Sequence, residues 1–216
     1  MQDVMVDLET LGDTPGSAIL SIGAVAFDPE TGEIDDGFYT VINVNSCVVA
    51  GLTFTQGTLD WWKKQSPEAR GVLKAAYADT APSLHTALIA LNAYLARFGG
   101  LRNCKVWGNG ASFDNSMLTL AYKGAGAPLG WQFWNDRGYR TLKNEWPQVP
   151  LGVRVGVFHN ALDDAKTQAA HALEIYAFKR RVLAAFATQG QVAEIVGKID
   201  AVLTRIEAEV EEDLVG

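Results

Sequence analysis

The chain has 216 residues, 48% of them hydrophobic, with 18 Lys and Arg against 25 Asp and Glu for a formal charge of −7. That length and apolar content allow one large domain with a real core, or a domain with an appendage, while the acidic balance argues against broad electrostatic capture of long nucleic acid or of a membrane surface. No apolar run approaches the ~20 residues of a membrane span, the start "MQDVMVDLETLG" lacks the pattern of a signal peptide, and Cys47 and Cys104 lack metal-type spacing, so a cytoplasmic protein without structural disulfides or a membrane partner is expected.

Val4 to Leu8 reads as a first strand, and Ala18 to Phe27, apolar on both faces, as a second and central one. The turn residues of "DPETGE" close a hairpin into a third strand over Gly37 to Val44. Helices follow over Thr58 to Gln65, from Ser66 as N-cap with Pro67 at the first helical position, and from Pro82 to the glycine pair ending at Gly100. Cys104 to Gly110 is a fourth strand, and Ser112 to Gly126 a helix ending in glycines. The connection from Trp131 to Trp146 carries no clear period. Asn160 to Phe186 and Gln191 to Leu214 are long helices. The order predicts a three-layer α/β domain with a mixed central sheet, an antiparallel meander whose first strand takes a parallel neighbour, and a C-terminal helical extension. We expect a domain over residues 1–186 and an amphipathic helix in 187–216. Val192, Ile195, Ile199, Val202 and Ile206 form a narrow apolar stripe there, of the kind that pairs two copies into a homodimer.

Three segments hold acids in unusual places. Asp7 and Glu9 share one face of the first strand. Two anions among apolar neighbours repel unless a cation neutralises them, and a hard divalent cation prefers oxygen ligands. Solvated acids at a sheet edge are the alternative. Asp114 follows a strand and a glycine-bearing turn at a helix start. The helix dipole alone favours an acid there, and so does a site at a strand end. In "HNALDDAKTQ", Asn160 and Asp163 read as an N-cap and its partner three residues on, whereas Asp164 has no such local role. His159, five residues before Asp164, cannot share its helical face and sits on the loop ahead. An ordinary loop histidine would sit there too.

Together these segments read D-x-E, then F-D after a strand, then H-x4-D. In this order the chain resembles the DEDDh 3′–5′ exonucleases of the ribonuclease H-like superfamily, from about Asp3 to about Tyr176. The strings "PGSAILSIGAVAFDPETGEI", "TLDWWKKQSPEAR", "FWNDRGYRT" and "HNALDDAKTQA" are similar to its small phage and bacterial branch. One position departs: relatives carry Asn four residues before the second motif's Asp, and this chain has Gly110 there with Asn109 one earlier. The resemblance implies a ribonuclease H-like fold in a bacterial or phage-infected cell. It implies a metal site of Asp7, Glu9, Asp114 and Asp164 holding two Mg²⁺ or Mn²⁺ ions, with His159 as general base. Its substrate would be the 3′ end of single-stranded DNA or RNA, and its products nucleoside 5′-monophosphates. Thr10 and Leu11 would pack against the terminal nucleotide. One of Trp61 and Trp62 would stack on a base and the other lie in the core. Asn109, Phe113 and Arg140 complete the expected substrate contacts, Phe113 also reading as core and Arg140 as a phosphate or ion-pair partner. Two rivals remain at the level of sequence. A non-catalytic nucleic-acid-binding module would leave five catalytic-type residues without use. A phosphatase with Asp7 as nucleophile would leave His159 without one.

Overall fold

The computed structural model describes residues 1–154, 156–188, 190 and 194–205. It divides into two compact units, Met1–Ile175 and Tyr176–Gly216.

The first unit is built on a mixed sheet. β1 (Asp3–Thr10), β2 (Ile19–Phe27) and β3 (Phe38–Val41) form an antiparallel meander, and β4 (Lys105–Gly108) and β5 (Asp136–Gly138) continue it in parallel, in the order β3-β2-β1-β4-β5. Every residue of β2 is buried, as expected of a strand covered on both faces. The register between β1 and β2 shifts after Glu9, so the strand is re-aimed just where the acids stand.

The α-helices of the chain up to residue 188 are α1 (Val44–Val49), α2 (Gln56–Trp62), α3 (Pro67–Ala76), α4 (Leu84–Ala96), α5 (Gly100–Asn103), α6 (Asp114–Ala125), α7 (Tyr139–Glu145) and α8 (Ala161–Thr188). Their starts follow side-chain chemistry. Thr55, Ser66 and Ser83 accept the backbone N–H groups of Thr58, Ala69 and Thr86. The core joins β1 and β2 to α4 and α6 through Ile22, Leu88, Leu91, Leu95, Leu118 and Tyr122, among others. α8 buries a face of small residues, Ala161, Ala165, Ala169 and Ala172, which lets it lie close. Its first turn packs directly on Gly23 of β2, the cross-strand partner of Asp7. A Cβ at Gly23 would stand 2.2 Å from the Ala161 carbonyl carbon.

Two expectations need correction. The third strand ends at Val41, not Val44. Asn43 caps α1 through its side chain and also donates to the Ala78 carbonyl, so Val44 is already helical. The Trp131 to Trp146 segment is ordered: a 3-10 turn (Phe133–Asn135), β5 and α7. It is pinned by Asp136, whose carboxylate accepts from Trp131 Nε1 and Asn115 Nδ2, both at 2.7 Å. β5 is three residues long and begins with two charged ones, so it has no apolar alternation to detect.

In the second unit, residues 194–205 are helical. Ile195, Ile199, Val202 and Leu203, each about half exposed, line an apolar groove of about 290 Å³ with Lys198. Val192 and Ile206 lie outside the described residues. Among the described residues no helix is long and apolar enough to cross a membrane.

Candidate active site

Three elements deliver the four acids to one place. β1 supplies Asp7 and Glu9, the start of α6 supplies Asp114, and the first turn of α8 supplies Asp164. Glu9 and Asp114 are buried at 6% and 3% exposure, and Asp7 and Asp164 are partly buried. Gly108 permits the approach of α6, because a Cβ there would come within 2.8 Å of Asp114 Cβ. Asp114 Oδ2 accepts the Gly110 N–H at 3.3 Å, in the turn where the chain departs from its relatives.

The electrostatics of Asp7, Glu9 and Asp114 is strained without a cation. Burial pushes the Asp7 carboxyl well above its usual range, and the charges of Asp114 and Glu9 push it further. Burial raises Glu9 to about 8, partly offset by the positive charge of Arg154, with Asp114 adding to the rise. Burial raises Asp114 to about 6 against the pull of backbone N–H donors at the helix start and of Arg140. Two side chains not singled out from sequence hold the cluster. Gln168, one turn beyond Asp164 on α8, donates from Nε2 to Asp7 Oδ1 at 2.7 Å. Arg154 forms an ion pair with Asp164. Gln168 carried a detectable signal, since i+4 spacing on α8 places it over Asp164. Arg154, alone among apolar loop residues, carried none.

The loop ahead of α8 is shaped by α8 itself. Asn160 caps the helix by accepting from Leu162 and Asp163 N–H groups, as expected. Asp163 does not return to Asn160. Its Oδ2 accepts the Val157 N–H at 2.8 Å and so ties the loop down. His159 takes a left-handed backbone with φ of 61°, unusual for a residue with a Cβ and a mark of a functional constraint. Its ring stands edge-on to Trp61, with centroids 4.8 Å apart. Burial and the charge of Arg154 both lower its pKa, which favours a neutral imidazole.

The donor set fits a hard divalent cation. Ligand atoms of Glu9, His159 and Asp164 lie within 4.8 Å of one another, and the buried carboxylates beside them need positive charge. Asp7 and Asp114 belong to the same electrostatic cluster, although they stand outside that group of three.

Beside the acids lies a cleft of about 450 Å³, lined by Glu9, Thr10, Gly12, Thr58, Trp61 and Phe113 among others. The tryptophans divide as adjacent helical residues must. Trp62 is 1% exposed and donates from Nε1 to the Thr10 carbonyl, whereas Trp61 is 41% exposed. Thr10 is fixed by its hydroxyl donating to the Gly12 carbonyl. Leu11 differs from the expectation, because its side chain is core at 1% exposure and does not line the cleft. Phe113 is half-buried and serves both core and cleft. Asn109 turns a buried Oδ1 without a hydrogen-bond partner among the described residues, and its carbonyl accepts the Arg140 N–H. Arg140 is exposed, near enough to Asp114 to lower its pKa. His171 is structural, bonded to the Tyr139 hydroxyl and the Val149 carbonyl.

A mixed five-stranded sheet in the order β3-β2-β1-β4-β5, with helices around it, is a ribonuclease H-like fold. Two solved structures share the fold. Cell-death related nuclease 4 aligns with a TM-score of 0.56 at 14% identity, covering 82% of this chain and 64% of that one, so the chain spans under two thirds of its length. The nuclease domain of 3′hExo, a DEDDh family member solved with bound rAMP, aligns at 0.54 and 14% identity, covering 80% and 90%. In sequence, the exodeoxyribonuclease of Enterobacteria phage T4 is 28% identical over 162 residues, covering 65% of this chain and 70% of the relative. The chain belongs to the 3′-5′ exoribonuclease Rv2179c-like domain family, which it matches over residues 2–176. It is thus a 3′–5′ exonuclease by family.

Proposed function

We propose that the protein is a metal-dependent exonuclease that removes nucleoside 5′-monophosphates from the 3′ end of single-stranded nucleic acid. The observation that carries this reading is the meeting of three mutually repelling carboxylates, Asp7, Glu9 and Asp114, with Asp164 and His159 beside a cleft walled by Trp61. Asp7, Glu9, Asp114 and Asp164 would hold two Mg²⁺ or Mn²⁺ ions, which when bound would supply a water of lowered pKa and charge stabilisation for the leaving 3′ oxygen. His159, kept neutral by its surroundings, takes the proton of the attacking water. Trp61 stacks on the terminal base, which suits single strands and ignores sequence. Thr10 and Phe113 border the same nucleotide, with Leu11 behind them in the core, and Trp62 anchors the turn at Thr10. Asn109 and Arg140 face the phosphate side, beside Asp114.

Residues 1–186 form the exonuclease domain, and the apolar stripe of the C-terminal helix pairs two copies in the cytoplasm of a bacterial or phage-infected cell. The family description names RNA and the phage relative names DNA, so the test carries both. Oligomers labelled at the 5′ end, as single-stranded DNA and RNA, are incubated with Mg²⁺ or EDTA. A ladder shortening from the 3′ end with Mg²⁺ alone is expected. Tight binding without turnover in Mg²⁺ would sink the reading in favour of a binding module.

A further inference from the structure

Arg154 brings a fixed positive charge into a site built for cations. It pairs with Asp164 and is close enough to draw down the Glu9 carboxyl and to disfavour a charged His159. It comes from the loop ahead of α8, not from the sheet or a helix. The guanidinium carbon rests 3.8 Å from the centroid of the Phe158 ring, and Phe158 is itself 63% exposed. Nε is buried yet has no hydrogen-bond partner among the described residues. Arg–carboxylate pairs frequently use the planar fork in two parallel bonds. This guanidinium leaves a donor unused and leans on an exposed ring.

Asp164 therefore faces two claims. It shares a 4.8 Å group of possible ligand atoms with Glu9 and His159, and it is the ion-pair partner of Arg154. A divalent ion at that carboxylate and a guanidinium on it repel each other at close range in a partly desolvated site. Whatever binds the state in which the pair is open must offset the cost of opening it.

We propose that Arg154 is an exchangeable counter-ion, which holds Asp164 in the metal-free protein and competes with the divalent ion for that carboxylate. This rests on the metal site of the proposed function. The competition keeps the acid cluster from repelling itself apart when metal is scarce, and it weakens metal binding by the same amount.

The test is a calorimetric titration of the wild-type and Arg154→Met proteins with Mn²⁺ alone. Methionine keeps an apolar stem against Phe158 and removes the charge. Binding about tenfold tighter in the variant is expected, in the range usual for two coupled events, together with a lower melting temperature in EDTA. Arg154→Lys keeps the charge and should stay close to wild type. Equal or weaker Mn²⁺ binding by a natively folded Arg154→Met protein overturns the competition while leaving the metal site standing. No Mn²⁺ binding by any of the three removes the metal site and the inference together. In the wild-type protein, saturating Mg²⁺ should shift the Arg154 Nε–H resonance in a nitrogen-15 spectrum. An unmoved resonance overturns the exchange whether or not the variants fold.

Discussion

The carboxylate of Asp7 is shaped by a neighbour that does no chemistry. Gln168 donates to Asp7 Oδ1 and pulls down a pKa that burial and two anions have raised. Gln168→Leu removes that donor. Asp7 then holds its proton to higher pH, so the acid limb of the pH–rate profile should move up, and Mn²⁺ affinity should fall about tenfold, the cost of one charge-assisted hydrogen bond. An unmoved acid limb would mean that Asp7 is oriented by other contacts. His159→Ala tests the base directly. Single-turnover cleavage should drop ~10²–10⁴-fold, the usual worth of general base catalysis, with the Mn²⁺ titration nearly unchanged. Because the ring lies in the same 4.8 Å group as Glu9 and Asp164, a large loss of Mn²⁺ affinity would instead make it a ligand. An unchanged rate would remove His159 from the mechanism.

Elements place these residues by close approach, and β2 against α8 is the tightest case. Gly23 pairs with Asp7 across the sheet, and the Ala161–Leu162 peptide sits where its side chain would be. Gly23→Ala must therefore push the first turn of α8, and Asp164 with it, off the sheet. Overpacking of this kind costs ~1–3 kcal/mol. Cleavage should fall more steeply than stability, because a shift of ~1 Å in a reacting group can cost ~100-fold in rate. Thermal melts and kinetics of the variant check both, and wild-type activity would show that α8 has slack there. The same elements explain what could be read in advance. β1 and β2 announce themselves as apolar runs, the Ser66 cap with Pro67 marks its helix, and the acids stand out because carboxylates are conspicuous in apolar strands. β5 has three residues and two charges, and α1 takes its start from a single asparagine, so neither leaves a periodic trace. Arg154 matters only through a partner 10 positions away that folding brings to it, and Gln168, whose spacing marks its face beside Asp164, acts on Asp7 161 positions away. Leu11 is expected in the cleft through the resemblance of the turn after Glu9, and the register shift after Glu9 accompanies its turn into the core.

For the whole molecule, assembly and stability are separate questions. The half-exposed stripe of Ile195, Ile199, Val202 and Leu203 motivates the homodimer. Ending the chain at Gly190 should give a monomer by light scattering with cleavage retained, and a monomeric full-length protein would dispose of the idea. Stability turns on the acids. Glu9 sits near 8 in the folded protein against an ordinary 4.5, and Asp7 is raised well above its own ordinary value. A carboxyl raised by folding binds its proton more tightly in the folded state, so its contribution to stability is lost as pH rises from the ordinary value through the raised one. His159, lowered by folding, acts in the opposite sense, but below its ordinary value of 6.5. Between pH 6.5 and 8 the acids therefore govern, and in EDTA the melting temperature should fall across that interval. Metal binds the deprotonated cluster of the folded state alone, adding ~2.7 kcal/mol at a hundredfold excess over its dissociation constant. For a domain of this size that is a rise of roughly 5–10 °C, larger at pH 8 than at pH 6.5, which flattens the slope. Asp7→Asn removes one of the repelling charges. It should melt higher than wild type in EDTA at pH 8, gain less from Mg²⁺, and not cleave. Melts of both proteins at the two pH values, with EDTA and with Mg²⁺, decide the matter. A wild-type melting temperature that rises with pH in EDTA, or an Asp7→Asn protein less stable than wild type there, would mean that the four carboxylates do not repel one another in the folded chain.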